Sequence, residues 1–150
     1  MIDRTYVGSN EKERKRLHAL VARLSDQDLA RPMNAGWTVA SVLGHLAYWD
    51  QRIVALVGQW WKAGVASPPK PLEEAHVDWI NDATKPFLLA LPPRQAAELT
   101  LSIADAADRA VETLPDEFLA ANAAAGTPIN PLRAEHRKEH LDEIQQALGL

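Results

Sequence analysis

The chain has 150 residues, of which 47% are hydrophobic and 24% charged, with a formal net charge of −4 and no cysteine. That length suits one domain, spanning 1–150, that can bury a core. The missing cysteine excludes disulfides, thiolate metal ligands and a cysteine nucleophile, and the weak acidity points away from nucleic acid, whose binding domains carry a basic face.

The opening MIDRTYVGSNEKERKR has no apolar signal-peptide core. The longest apolar region, residues 53–61, is broken by Gly58 and Gln59, well short of the roughly 18 apolar residues of a membrane helix. A cytoplasmic setting with no membrane partner is expected.

Helical periodicity dominates. Leu17, Leu20, Val21 and Leu24 give a helix over 10–24 with Ser9 or Asn10 as its cap. Ser25 and Asp26 read as a break, and 31–36 as a loop around Pro32. The second helix starts at Thr38 and buries Val42, Leu46, Trp49, Ile53, Leu56 and Trp60, whose alternating steps of 4 and 3 are those of a bundle helix. Gly64 and the proline-rich 67–71 end it.

A third stretch starts near Glu73 and carries Val77, Ile80, Phe87 and Leu88, with Pro86 expected to kink or interrupt it. After Pro92 and Pro93, another helix spans 94–114. Residues 116–130, with Gly126 and Pro128, read as a long loop with at most one helical turn. Pro131 suits the first position of a last helix that ends before Gly149. No alternating β-branched run signals a strand.

Three of the five histidines fall on faces expected to be buried. His136 and His140 stand four apart on the last helix, so their rings project from one side about 6 Å apart. Ile144 and Leu148 continue that row inward. His45 lies between Val42 and Trp49 in the stripe of the second helix. Packing the two helices brings three imidazoles together. Burying three polar rings is costly unless each is hydrogen-bonded, and two arrangements meet that cost. In one, the rings bond each other and water. In the other, a divalent transition metal takes one nitrogen from each and keeps a coordination position open. Imidazole ligands suit zinc, nickel, iron and copper, with manganese a further possibility. His18 and His76 read as boundary and solvated residues. Asp50, Glu135 and Glu139 are the first carboxylates to consider as a general base.

The stretch Gly36-Trp37-Thr38-Val39-Ala40-Ser41-Val42-Leu43-Gly44-His45-Leu46 resembles the helix-2 signature of the DinB-like (YfiT-like) superfamily. Residues 135–144, with His136-x-x-x-His140 followed by Leu141 and Ile144, resemble its last helix. Ser41 departs from the pattern, standing where an acidic residue often completes a capping box after Thr38. The resemblance implies an all-α four-helix bundle of up-down-down-up topology, often a homodimer, with an extra helical segment in the long connection between helices 2 and 3. It implies His45, His136 and His140 as metal ligands. It also implies either a metal-dependent hydrolase or a transferase or isomerase using a low-molecular-weight thiol such as mycothiol, bacillithiol or glutathione, in each case with a small-molecule substrate. The alternative is a non-catalytic bundle that is metal-stabilised and binds a small molecule, or is purely structural.

Overall fold

The computed structural model describes residues 2–150. Among these are seven α-helices, one 3-10 turn and no strand. The helices are α1 (Tyr6–Arg23), α2 (Asp26–Leu29), α3 (Val39–Ala63), α4 (Glu74–Ala90), α5 (Pro93–Glu112), α6 (Asp116–Ala124) and α7 (Ala134–Leu148). No helix among the described residues is long and apolar enough to cross a membrane.

Four helices make the bundle, and cross-helix pairs set their directions. Tyr6 donates to the Val111 carbonyl and Arg14 meets Asp108, so α1 and α5 run oppositely. Asn10 meets Arg133 and Arg16 meets Asp142, so α1 and α7 run together. His45 meets His136 and Asp50 meets Arg133, so α3 opposes α7. Ala96, Ala97, Ala104 and Ala107 are fully buried on α5 and leave room for α3 to approach closely. One apolar cluster gathers Leu17, Leu20, Leu43, Leu46 and Leu141, and a second gathers Tyr6, Ile53, Trp60, Val111 and Phe118.

Several elements depart from expectation, each for a tertiary reason. Helix α1 begins four residues early because Arg4 bonds the Glu112 and Leu114 carbonyls and Tyr6 anchors on Val111. Asn10 therefore sits inside α1 and is not its cap. Residues 26–29 form a helical turn, closed by reciprocal bonds between Ser25 and Asp28. Ser41 completes a capping box after all: its hydroxyl accepts from the Thr38 amide while its own amide donates to Thr38 Oγ1.

Helix α4 runs through Pro86 without interruption. Pro86 and Asp82 are exposed, so the carbonyl that loses its donor faces water. Its one buried side chain, Leu88, lies over Gly44. A β-carbon at Gly44 would stand 3.2 Å from Leu88 Cδ2, so the glycine sets how closely α4 approaches α3. The Trp49 indole donates to Asn81 Oδ1 across the same contact.

Residues 116–124, read as loop, are α6. Phe118 packs edge-on against Trp60, with ring centroids 4.8 Å apart, and the alanine-rich sequence permits a helix wherever such an anchor exists. Asn122 then pairs with both backbone groups of Ile129, holding the turn that follows. Helix α7 begins at Ala134, three residues after Pro131. Its opening is fixed by Asn10, whose Oδ1 accepts from the amides of Arg133 and Ala134.

Candidate metal centre

The three histidines selected in the sequence meet at one point. Nε2 of His136 lies 3.1 Å from Nε2 of His45 and 3.1 Å from Nε2 of His140. A ring nitrogen from each lies within 4.8 Å of the others, and no further His, Asp or Glu joins the group among the described residues. Thr38 and Ser41 start α3 in the register that brings His45 inward, and Trp37 packs edge-on against its ring at 5.7 Å. The Asn10 cap fixes where α7 begins, and so sets the height of His136 and His140.

All three rings are half-buried rather than central. The buried row of α7 is Ala134, Arg137, Leu141 and Ile144, and the histidines stand at its edge, facing a cleft. That corrects the row expected from His136, His140, Ile144 and Leu148. Arg137 takes the inward position because it is neutralised there. Its guanidinium bonds both Asp108 oxygens, at 2.8 and 2.6 Å, and Asp50 at 3.1 Å. Arg133 completes the network at 2.9 Å from Asp50, and Arg14 at 2.7 Å from Asp108.

Apart from Asp50, considered there as a general base, these buried ions were not singled out in the sequence. The available signal was the spacing of Arg137, three after Ala134 and four before Leu141. Asp50 is thereby removed as a general base, since both of its oxygens are held by arginines. Of Asp50, Glu135 and Glu139, only Glu139 lines the cleft. Glu73 is exposed and His76 solvated, as is most of Trp61. His18 pairs with Asp105 at the surface, 2.9 Å away.

Electrostatics favours neutral rings at His45 and His136. Burial, with His140 beside it, pulls His45 down to about 4. Burial, then His140, His45, Arg133 and Arg137, pulls His136 down to about 3. Both therefore offer lone pairs at neutral pH. His140 Nδ1 lies 3.2 Å from Glu143 Oε2, which assigns the proton to Nδ1 and leaves Nε2 free, the usual support for a ligating imidazole.

Neutral rings alone do not satisfy one another here. Each Nε2 carries either one proton or one lone pair, so it makes one good hydrogen bond. His136 Nε2 has two such neighbours at the same distance, and one contact must lack its proton. Two ligands about 2.0–2.1 Å from a common ion lie roughly 3–3.4 Å apart, which is the spacing observed. The donor set is all nitrogen, suits a divalent transition metal and leaves coordination positions open toward the cleft. That cleft has a volume of about 1180 Å³. Its walls are α4 on one side, α7 on the other, and the turn bearing Ala35 and Trp37.

An all-helical bundle whose three histidines converge on an open cleft defines the class of DinB-like domains with a site able to take a metal ion. Residues 11–142 match the sequence model of the mycothiol maleylpyruvate isomerase N-terminal domain, and the chain belongs to that family. No curated protein and no solved structure matches it significantly.

Proposed function

We propose that the chain binds a divalent transition metal through Nε2 of His45, His136 and His140, and that it acts with mycothiol on a small electrophile. The outcome is either thiol transfer or a thiol-assisted isomerisation of the kind the family's maleylpyruvate isomerase name describes. The observation that carries this reading is the convergence of the three Nε2 atoms, 3.1 Å apart in two pairs, at the wall of an open cleft. A divalent ion there supplies the Lewis acidity that ionises a thiol near neutral pH.

The chain's own residues do the rest. His45 and His136 are already deprotonated and compete with no proton at pH 7. Glu143 holds the ring of His140. Met33, Trp37 and Val42 line the cleft and keep water from one side of the reacting sulfur. Glu139, which precedes His140 on α7, lines the cleft and holds no histidine, and it takes the proton the thiol loses. With no cysteine in the chain, the thiol comes from a small molecule.

The test is to mix metal-replete protein with mycothiol and a panel of enones, epoxides and maleylpyruvate, and to follow adduct or isomer by mass spectrometry. Turnover should require mycothiol and vanish in His45→Ala. Ester hydrolysis at an equal rate without any thiol would instead assign the site to water activation.

A further inference from the structure

The ring nitrogens that face away from the centre are not held alike in His140 and His45. His140 Nδ1 meets Glu143 at 3.2 Å, the usual support of a ligating imidazole. His45 Nδ1 is buried and has no hydrogen-bond partner. No hydrogen bond at that end fixes the tilt of the His45 ring, so packing must. Trp37 provides it: the indole meets the imidazole with centroids 5.7 Å apart and 66° between the planes.

What holds Trp37 comes from across the cleft. The Lys85 ammonium, on α4, donates to the Ala35 carbonyl and lies 5.1 Å from the Trp37 ring centroid, within cation–π reach. The turn it grips is strained. Ala35 has a φ of +57° and Gly36 a φ of +80°, and a non-glycine residue in the left-handed region persists only where its surroundings hold it. Two backbone bonds close the base of the turn, from the Met33 amide to the Trp37 carbonyl at 2.7 Å and from the Trp37 amide to the Asn34 carbonyl at 3.2 Å. Neither uses the Ala35 carbonyl, which goes to Lys85. Helix α4 is itself seated on α3 through Leu88 over Gly44 and Asn81 on Trp49, so Lys85 reaches out from a fixed wall.

We infer that Lys85 is a positioning residue: by gripping the Ala35 carbonyl and covering the Trp37 indole, it holds the His45 ring at the tilt that aims Nε2 at its two partners. The inference rests on the metal reading above. Its sign separates it from plain electrostatics. A cation near the three nitrogens repels a metal ion, so deleting the Lys85 charge would by itself tighten metal binding. Losing the tilt of His45 weakens it.

The experiment compares the wild type with Lys85→Met, which keeps the apolar stem and loses the ammonium. Lys85→Arg is the conservative variant, since a guanidinium donates to a carbonyl and stacks on an indole. Lys62→Met, at an exposed lysine of α3, controls for the loss of one charge. Two quantities are read: the His45 ring signals by NMR of the metal-free protein, and the cobalt(II) affinity by visible absorption against a competing chelator. Lys85→Met should move the His45 signals, leave those of His18 in place, and weaken cobalt binding about tenfold, the low end of what losing an outer partner costs a metal site. Lys85→Arg should restore both, and Lys62→Met should change neither. Unmoved His45 signals in Lys85→Met, or cobalt binding that is unchanged or tighter, would overturn the inference and leave the metal reading standing. A wild type that takes up no cobalt would overturn the metal reading, and the positioning of His45 would then stand or fall on the ring signals alone.

Discussion

Arg137, the residue after His136, is 1% exposed and bonds both carboxylate oxygens of Asp108, itself 3% exposed. The bundle thus holds a charge pair at its centre one residue from the candidate centre, and the pair ties α7 to α5. Asp50 extends the tie to α3. An ion pair of this depth adds little over a hydrophobic substitute, yet removing one partner strands the other in a low-dielectric interior.

Asp108→Ala should therefore lower the unfolding free energy by about 3–5 kcal/mol, because it leaves Arg137 and Arg14 without their shared acceptor. Chemical denaturation measures it. Asp105→Ala, which removes only surface pairs with Arg14 and His18, should cost under about 1 kcal/mol.

Asn10 ties the start of α7 to α1 through three bonds, two accepted from the Arg133 and Ala134 amides and one donated to the Pro131 carbonyl. Asn10→Ala should cost roughly 1–3 kcal/mol. Hydrogen exchange should show the loss concentrated in residues 133–137, while the middle of α1 keeps its protection. Uniform loss along α1 would instead mark Asn10 as a residue that matters to its own helix.

The Gly44 and Leu88 contact controls one wall of the cleft. Gly44→Val should push α4 outward and destabilise the protein by about 1–3 kcal/mol. The Trp49 bond to Asn81 crosses the same interface, so indole fluorescence should report the movement. Gly58→Ala, where nothing lies within 4 Å of the added carbon, should be neutral or stabilising.

Stability of the metal-free protein should depend on pH. His45 and His136 titrate near 4 and near 3 when folded, against about 6.5 in an unfolded chain. Between those values the unfolded chain binds more protons, so stability rises with pH and is fully present above about 6.5. It should fall by about 3 kcal/mol between pH 6.5 and pH 5, read from urea midpoints after chelation. His45→Gln should remove about half of that slope.

The bundle and the three histidines were legible in the sequence because both rest on periodicity. His45 falls at a fixed step from Val42 and Trp49, and His136 and His140 are one turn apart, so any packing of α3 on α7 converges them. The early start of α1, helix α6 and the late start of α7 were not legible. Each is decided by a distant partner: Val111 for Tyr6, Trp60 for Phe118, and Asn10 for Arg133. The buried network was hidden for a related reason. A charged residue such as Arg137 reads as solvated until Asp50 and Asp108, 87 and 29 positions away, are known to face it. Ser41 was misread because its hydroxyl does what an acidic side chain does in a capping box.

The central claim is that His45, His136 and His140 together hold one metal ion. Elemental mass spectrometry on untagged protein, purified without chelator or immobilised nickel, tests it most directly, alongside His45→Ala and His140→Ala. The account predicts about one transition-metal ion per chain, lost in both variants, with a lower melting temperature after chelation of the wild type. A wild type without metal, whose melting temperature does not rise on adding zinc, nickel or cobalt, would contradict it.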